Sequence, residues 1–94
     1  MRPRRRAISV LVCLAIIVTK PDPITGKRKL VEVKDMTDIE NVKDSLNGQL
    51  PATHTYDLNA DMIVYVKPSQ VADIQAWADL QFPFDVEVRG IPPI

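Results

Sequence analysis

Hydrophobic side chains alternate in size along the thirteen residues from Ala7 to Thr19. Successive side chains of a strand point to opposite faces, so a period of two indicates a β-strand. β-branched residues also fit a pleated sheet better than a helix. The pattern therefore predicts a long strand with one bulky, buried face, formed by Ile8, Val10, Val12, Leu14, Ile16 and Val18.

The same stretch has two other interpretations. Basic residues precede it, and its length suits the apolar region of a secretory signal, but Ile16–Thr19 contains no small-x-small cleavage site. A membrane span needs about 20 apolar residues, whereas Lys20 and Pro21 end this run early. A strand is the favoured interpretation, a signal or anchor the second, and a buried helix the third.

The remaining chain predicts the order strand, helix, strand, strand, helix, strand. Thr37 and Glu40 fit a capping box at the first helix, and Asn47-Gly48 fits its end. Ser69 is the predicted N-cap of the second helix, which Pro83 stops near Phe82. The predicted strands are Leu30–Lys34, Thr53–Leu58, Asp61–Lys67 and Phe84–Arg89, the first helix is Asp38–Asn47, and the helical core residues are Ile39, Val42, Leu46, Val71, Ile74 and Trp77.

This order is typical of a ferredoxin-like βαββαβ fold. It predicts an α+β two-layer sandwich with an antiparallel sheet, two helices on one face and an extra long N-terminal strand. Strand 30–34 would then be central, and strand 7–19 would join a sheet edge or another chain. Alternatively, strands 7–19 and 30–34 form a hairpin, and segment 53–58 is a loop. The predicted organisation is a basic arm over 1–6 and a single α+β domain over 7–94.

Charge is distributed unevenly, although the net charge is zero. Residues 1–34 carry +7 and residues 35–94 carry −7, an asymmetry that bears on partners rather than on fold. The basic end could contact nucleic-acid phosphates or the acidic end of a neighbouring copy. Aromatic residues are not interleaved with the basic ones, which disfavours sequence-specific RNA recognition. The candidate interaction residues are Arg2, Arg4, Arg5, Arg6, Lys27, Arg28 and Lys29.

Catalytic and metal-binding patterns find little support. His54 is the single histidine, and no serine or cysteine has a base nearby in the sequence. Cys13 alone excludes an internal disulfide and a multi-cysteine zinc site, and a small buried hydrophobe is its expected role. The triplet Asp57-x-Asn59-x-Asp61 opens like a calcium loop, but Met62 and Pro68 replace the required glycine and glutamate. We expect no catalytic residue, cofactor or metal.

The C-terminal half resembles the propeptides of subtilisin-type proteases, which act as inhibitors and chaperones. The residues concerned are Thr55-Tyr56-Asp57-Leu58, Pro68-Ser69-Gln70-Val71 and Val86-Glu87-Val88. These features belong to ferredoxin-like domains generally, so no functional residue is transferred. The resemblance implies a small secreted inhibitor.

The favoured function is that of a non-enzymatic assembly subunit. A thirteen-residue strand extends about 40 Å, more than a small domain's own sheet needs. We therefore expect self-association or docking into a larger particle, such as a virion, through the N-terminal strand and basic arm. The alternatives are a non-specific nucleic-acid-binding accessory protein and a secreted inhibitor or propeptide-like domain. Cytoplasm or virion is the expected location, secretion applies if 1–19 is a signal, and a membrane is not expected.

Overall fold

A computed structural model describes residues 17–93. These residues form four strands and two helices around a mixed sheet. The elements are β1 (Ile17–Val18), β2 (Lys29–Lys34), α1 (Ile39–Tyr56), β3 (Asp61–Val66), α2 (Val71–Gln81) and β4 (Val86–Gly90), with a 3-10 helix over Pro68–Gln70. The predicted α+β class is confirmed.

The strands lie in sequential order, β1-β2-β3-β4. β1 pairs antiparallel with β2, whereas β2 pairs parallel with β3 and β3 parallel with β4. Each parallel pair is joined through a helix, as parallel neighbours require a crossover connection. The described chain is therefore a β-hairpin followed by two β-α-β units.

Both helices pack on one face of the sheet, as predicted. α1 contributes Val42, Leu46 and Leu50, and α2 contributes Ile74 and Ala78, to the same buried cluster as alternate residues of β3. The strand residues in that cluster are Met62, Val64, Val66, Val86 and Val88. Of the other predicted core positions, Ile39, Val71 and Trp77 are partly buried and pack against it.

Helix α1 is longer than the sequence predicts, and the predicted strand Thr53–Leu58 is wrong. Gly48 and Pro51 lie within the helix, although proline removes one helical hydrogen bond. Leu50, four residues after Leu46, is fully buried, and Thr53 is buried one turn further on. The hydroxyl of Thr53 donates to the carbonyl of Gln49 at 2.8 Å. Burial of this extended face offsets the two helix-breaking residues.

The predicted ferredoxin-like antiparallel arrangement is also corrected. Because residues 53–56 are helical, β2 and β3 are consecutive strands with a single helix between them. Such a connection returns the chain to the same end of the sheet, and the two strands consequently run parallel.

Two predicted helix caps are displaced. Asp38, not Thr37, is the N-cap of α1, and its carboxylate accepts the N–H of Glu40 at 2.9 Å. Ser69 lies inside the 3-10 helix, and α2 begins at Val71 without a side-chain cap. The predicted end of α2 near Phe82 is confirmed. The shift at α1 arises because Thr37 and Asp38 are both polar residues that can accept a backbone N–H, whereas at α2 the 3-10 turn over Pro68–Gln70 precedes the helix.

Only the end of the predicted strand Ala7–Thr19 lies within the described residues. Ile17 and Val18 form β1 and pair with Val31 and Leu30 of β2, which is the hairpin alternative. Val18 is 38% exposed in the single chain, so its predicted burial is not observed there. Residues 7–16, which include Cys13 and the other five predicted core positions, lie outside the described range.

Replacing Ile74 with alanine should destabilise the fold by about 2–5 kcal/mol, because the side chain is fully buried between the helices and the sheet. Chemical denaturation measures this loss. Leu80→Ala on the same helix is the matched control, since Leu80 is 91% exposed, and a change within about 0.5 kcal/mol is expected there. Equal losses for both variants would contradict the orientation of α2.

Candidate interaction surface

The outer edge of β2 is the first feature that a partner could use. β2 pairs with β3 along its whole length, from Lys29 to Lys34. On its other side it pairs with β1 at Leu30 and Val31. Within residues 17–93, no strand pairs with the edge from Glu32 to Lys34. An unpaired strand edge presents backbone donors and acceptors that another strand can bind.

A buried ion pair lies beside this edge, on the helix-covered face. Glu32 and Lys34 are in register with Val64 and Val66 of the core strand β3. The Lys34 ammonium lies 3.1 Å from Oε1 of Glu32, and the two side chains are only 11% and 10% exposed. Oε2 of Glu32 is buried and has no hydrogen-bond partner among residues 17–93. Buried charges are expensive, so each member of the pair depends on the other.

The opposite face of the sheet carries an apolar patch. Its members are the alternate strand residues Ile17, Val31, Val33, Ile63 and Tyr65, which we call the open-face patch. Val33 is 49% exposed and Ile17 is 58% exposed, whereas Ile63 is buried. No helix within the described chain packs on this face. Antiparallel sheets often leave one face to solvent, but parallel strands are usually covered on both faces.

Charged residues of both signs border the open-face patch. Lys29 is in register with Asp61, and Glu87 and Arg89 lie on the same face of β4. The Arg89 guanidinium contacts the Glu87 carboxylate and also donates to the Tyr65 hydroxyl at 3.4 Å. The hydrogen bond from Arg89 lowers the pKa of Glu87, and the same contact raises the pKa of Arg89. The border therefore has two cations and two anions.

The predicted basic residues Lys27, Arg28 and Lys29 lie where the hairpin loop enters β2. The Lys27 ammonium is 3.8 Å from the Asp61 carboxylate, and the N–H of Asp61 donates to the Arg28 carbonyl at 2.9 Å. The Asp61 carboxylate offsets part of the local positive charge. The other predicted interaction residues, Arg2, Arg4, Arg5 and Arg6, lie outside the described range.

Acidic Asp22 organises the same loop. Its carboxylate accepts the N–H groups of Ile24 and Thr25, at 2.7 and 3.1 Å. These two hydrogen bonds, with a smaller contribution from Lys29, hold the pKa of Asp22 below its ordinary value. Gly26 closes the turn with φ +73°, a conformation that favours glycine. The position of the basic residues is thus set by a structured turn.

A cleft of about 340 Å³ lies at the amino ends of β3 and β4. His54, predicted on a strand, occupies the last turn of α1, and its ring stacks on Phe84 with 4.2 Å between the ring centroids. In the triplet Asp57-x-Asn59-x-Asp61, the Asp57 carboxylate accepts the N–H of Asn59 at 3.0 Å, which is the turn role expected for the triplet. The cleft is lined by Lys27, His54, Leu58, Asn59, Ala60, Asp61, Met62, Phe84, Asp85 and Glu87.

The carboxyl ends of the parallel strands, where open α/β sheets usually bind ligands, are occupied by structural contacts. Lys67 donates to Asp35 at 2.7 Å. The Gln70 amide donates to the carbonyls of Met36 and Thr37, at 2.9 and 3.1 Å. These bonds tie the segment after β2 to the segment after β3.

Within the part of the chain that the structure describes, no three His, Cys, Asp or Glu residues are grouped as metal ligands. The helices of this part include none with the length and apolar character of a membrane span. Comparison with protein-family models, curated proteins and solved structures returns no match.

Sequence reasoning missed the most unusual feature of this surface, the buried Glu32–Lys34 pair. Alternation in β2 separates Val31 and Val33 from Glu32 and Lys34, and such a pattern ordinarily places the charged residues towards solvent. In the structure, Val33 is half-exposed and Glu32 is buried. The in-register pairing of Glu32 with the buried Val64 decides this orientation. The sequence of β2 alone does not indicate it.

Replacing Lys34 with methionine should destabilise the chain by about 3–5 kcal/mol, because it leaves the Glu32 carboxylate buried without a cation. The double variant Glu32→Gln/Lys34→Met should recover most of that loss, since it removes both charges. Lys43→Met is the matched control: Glu40, its partner at 3.5 Å, is 70% exposed, so a loss below about 0.5 kcal/mol is expected. Urea denaturation of the four chains tests this, and a Lys34→Met loss no larger than the control would contradict it.

Proposed function

We propose that this chain is a non-enzymatic assembly subunit that self-associates, or docks into a larger particle such as a virion, through its N-terminal third. The observation that carries the proposal is the outer edge of β2. Among residues 17–93, β1 pairs only with Leu30 and Val31 of β2. A further strand, from the N-terminal segment of this chain or of another copy, can therefore satisfy the edge from Glu32 to Lys34.

Electrostatics supports a protein partner. Residues 17–93 carry eight Lys and Arg against twelve Asp and Glu, a net charge of −4, and the four arginines of the predicted arm balance it. The arm of one copy is thus complementary to the described part of another. Backbone pairing at the edge supplies a contribution that salt does not screen, and the arm supplies one that salt weakens.

Nucleic-acid binding is the second candidate, and one observation weighs against it. Binding to nucleic-acid phosphates needs Lys and Arg side chains that are free to neutralise the phosphates and so release the counterions condensed on the nucleic acid. Lys27 already pairs with Asp61, and Lys29 lies near Asp22 and Glu87. The described basic cluster is therefore a weaker phosphate site than its composition predicts, and the arm alone would have to supply the contact.

Full-length chains with Arg2, Arg4, Arg5 and Arg6 changed to glutamine should associate more weakly than the unmodified chain at 0.1 M salt. The Debye length falls from about 10 Å at 0.1 M to about 3 Å at 1 M, so the unmodified chain should lose the arm's share of association over that range. The arm variant should show little further loss. Sedimentation velocity at several protein concentrations measures both effects.

The matched control changes Lys27, Arg28 and Lys29 to glutamine, and it should weaken association less because acidic neighbours already offset these cations. A monodisperse monomer that does not bind single-stranded RNA would overturn the proposal. Tight RNA binding that salt abolishes steeply, with no assembly in its absence, would replace the proposal with the nucleic-acid alternative.

A further inference from the structure

We propose that the open-face patch is a contact surface for a second copy of this chain. The inference deepens the proposed self-association, on which it rests, by naming a surface distinct from the β2 edge and the basic arm. Ile17, Val31, Val33, Ile63 and Tyr65 share this face, opposite the two helices.

The apolar centre of the patch supplies the attraction. Val33 and Ile17 are among the large hydrophobic residues that remain about half exposed, and they lie on neighbouring strands of the same face. Val31 and Tyr65 beside them are partly buried. Contiguous apolar surface rimmed by polar residues marks interaction sites. Two sheets that pack face to face, about 10 Å apart, would remove these side chains from water.

The charges around the patch favour a copy of the chain over a strongly charged partner. Lys29 and Arg89 supply two positive charges, and Asp61 and Glu87 supply two negative ones, so the border is neutral overall. A nucleic acid would favour a cationic border, and a strongly charged peptide would favour one sign. In a twofold contact the same patch meets itself, and a border with both signs can be complementary to itself.

Val33→Lys in the full-length chain tests this surface. A lysine at the centre of an apolar contact should raise the dissociation constant by at least about tenfold. The matched control is Leu80→Lys, which places the same charge at a 91% exposed position of α2 on the other side of the molecule. Val33→Ile, which keeps the surface apolar, should associate as the unmodified chain does.

Sedimentation velocity of the four chains, with thermal denaturation of each, separates the outcomes. Selective loss of association in Val33→Lys, with an unchanged melting temperature, supports the inference. Unchanged association in Val33→Lys overturns it, and the proposed assembly function stands if the arm variant still weakens association. A monomeric chain whose melting temperature falls in Val33→Lys also overturns it, because another segment of the same chain would then cover the face.

Discussion

The packing of both helices against one strand, β3, is the interaction on which the rest of the structure depends. β3 pairs with β2 on one edge and with β4 on the other. Its residues Met62, Val64 and Val66 are at most 4% exposed and contact the apolar stripes of α1 and α2. Because both stripes belong to one cluster with the central strand, displacing either helix would expose part of that shared core.

Packing on one face also determines which surfaces of the described sheet a partner could contact. Two successive crossover connections of one hand, along a sheet of sequential order, place both helices on the same side. The opposite face of the described sheet keeps its apolar residues without a helix over them, and within residues 17–93 the hairpin pairs with only part of the β2 edge. The same topology that builds the core therefore creates both surfaces from which assembly is proposed.

Local pairing of charges makes the described surface less suited to a strongly anionic partner. Lys27 lies beside Asp61, Lys67 beside Asp35, and Arg89 beside Glu87. These exposed pairs contribute little to stability, but they remove concentrated positive potential from the described surface. Glu32 and Lys34 differ, because their burial makes each charge costly without the other. They lie next to an edge that has no strand partner within residues 17–93, so any strand added there must accommodate a buried carboxylate.

The sequence by itself determined the α+β class, the bounds of strands β2, β3 and β4 to within two residues, and the core positions Ile74, Val42 and Leu46. Hydrophobic periodicity reports which residues an element buries, and that is a local property. Tertiary structure decided that Gly48 and Pro51 lie inside α1, since burial of Leu50 and Thr53 against the sheet outweighs local helix propensity. It also decided the parallel order of strands and the inward orientation of Glu32, because strand register is set by neighbours distant in the chain and not by the residues of one strand.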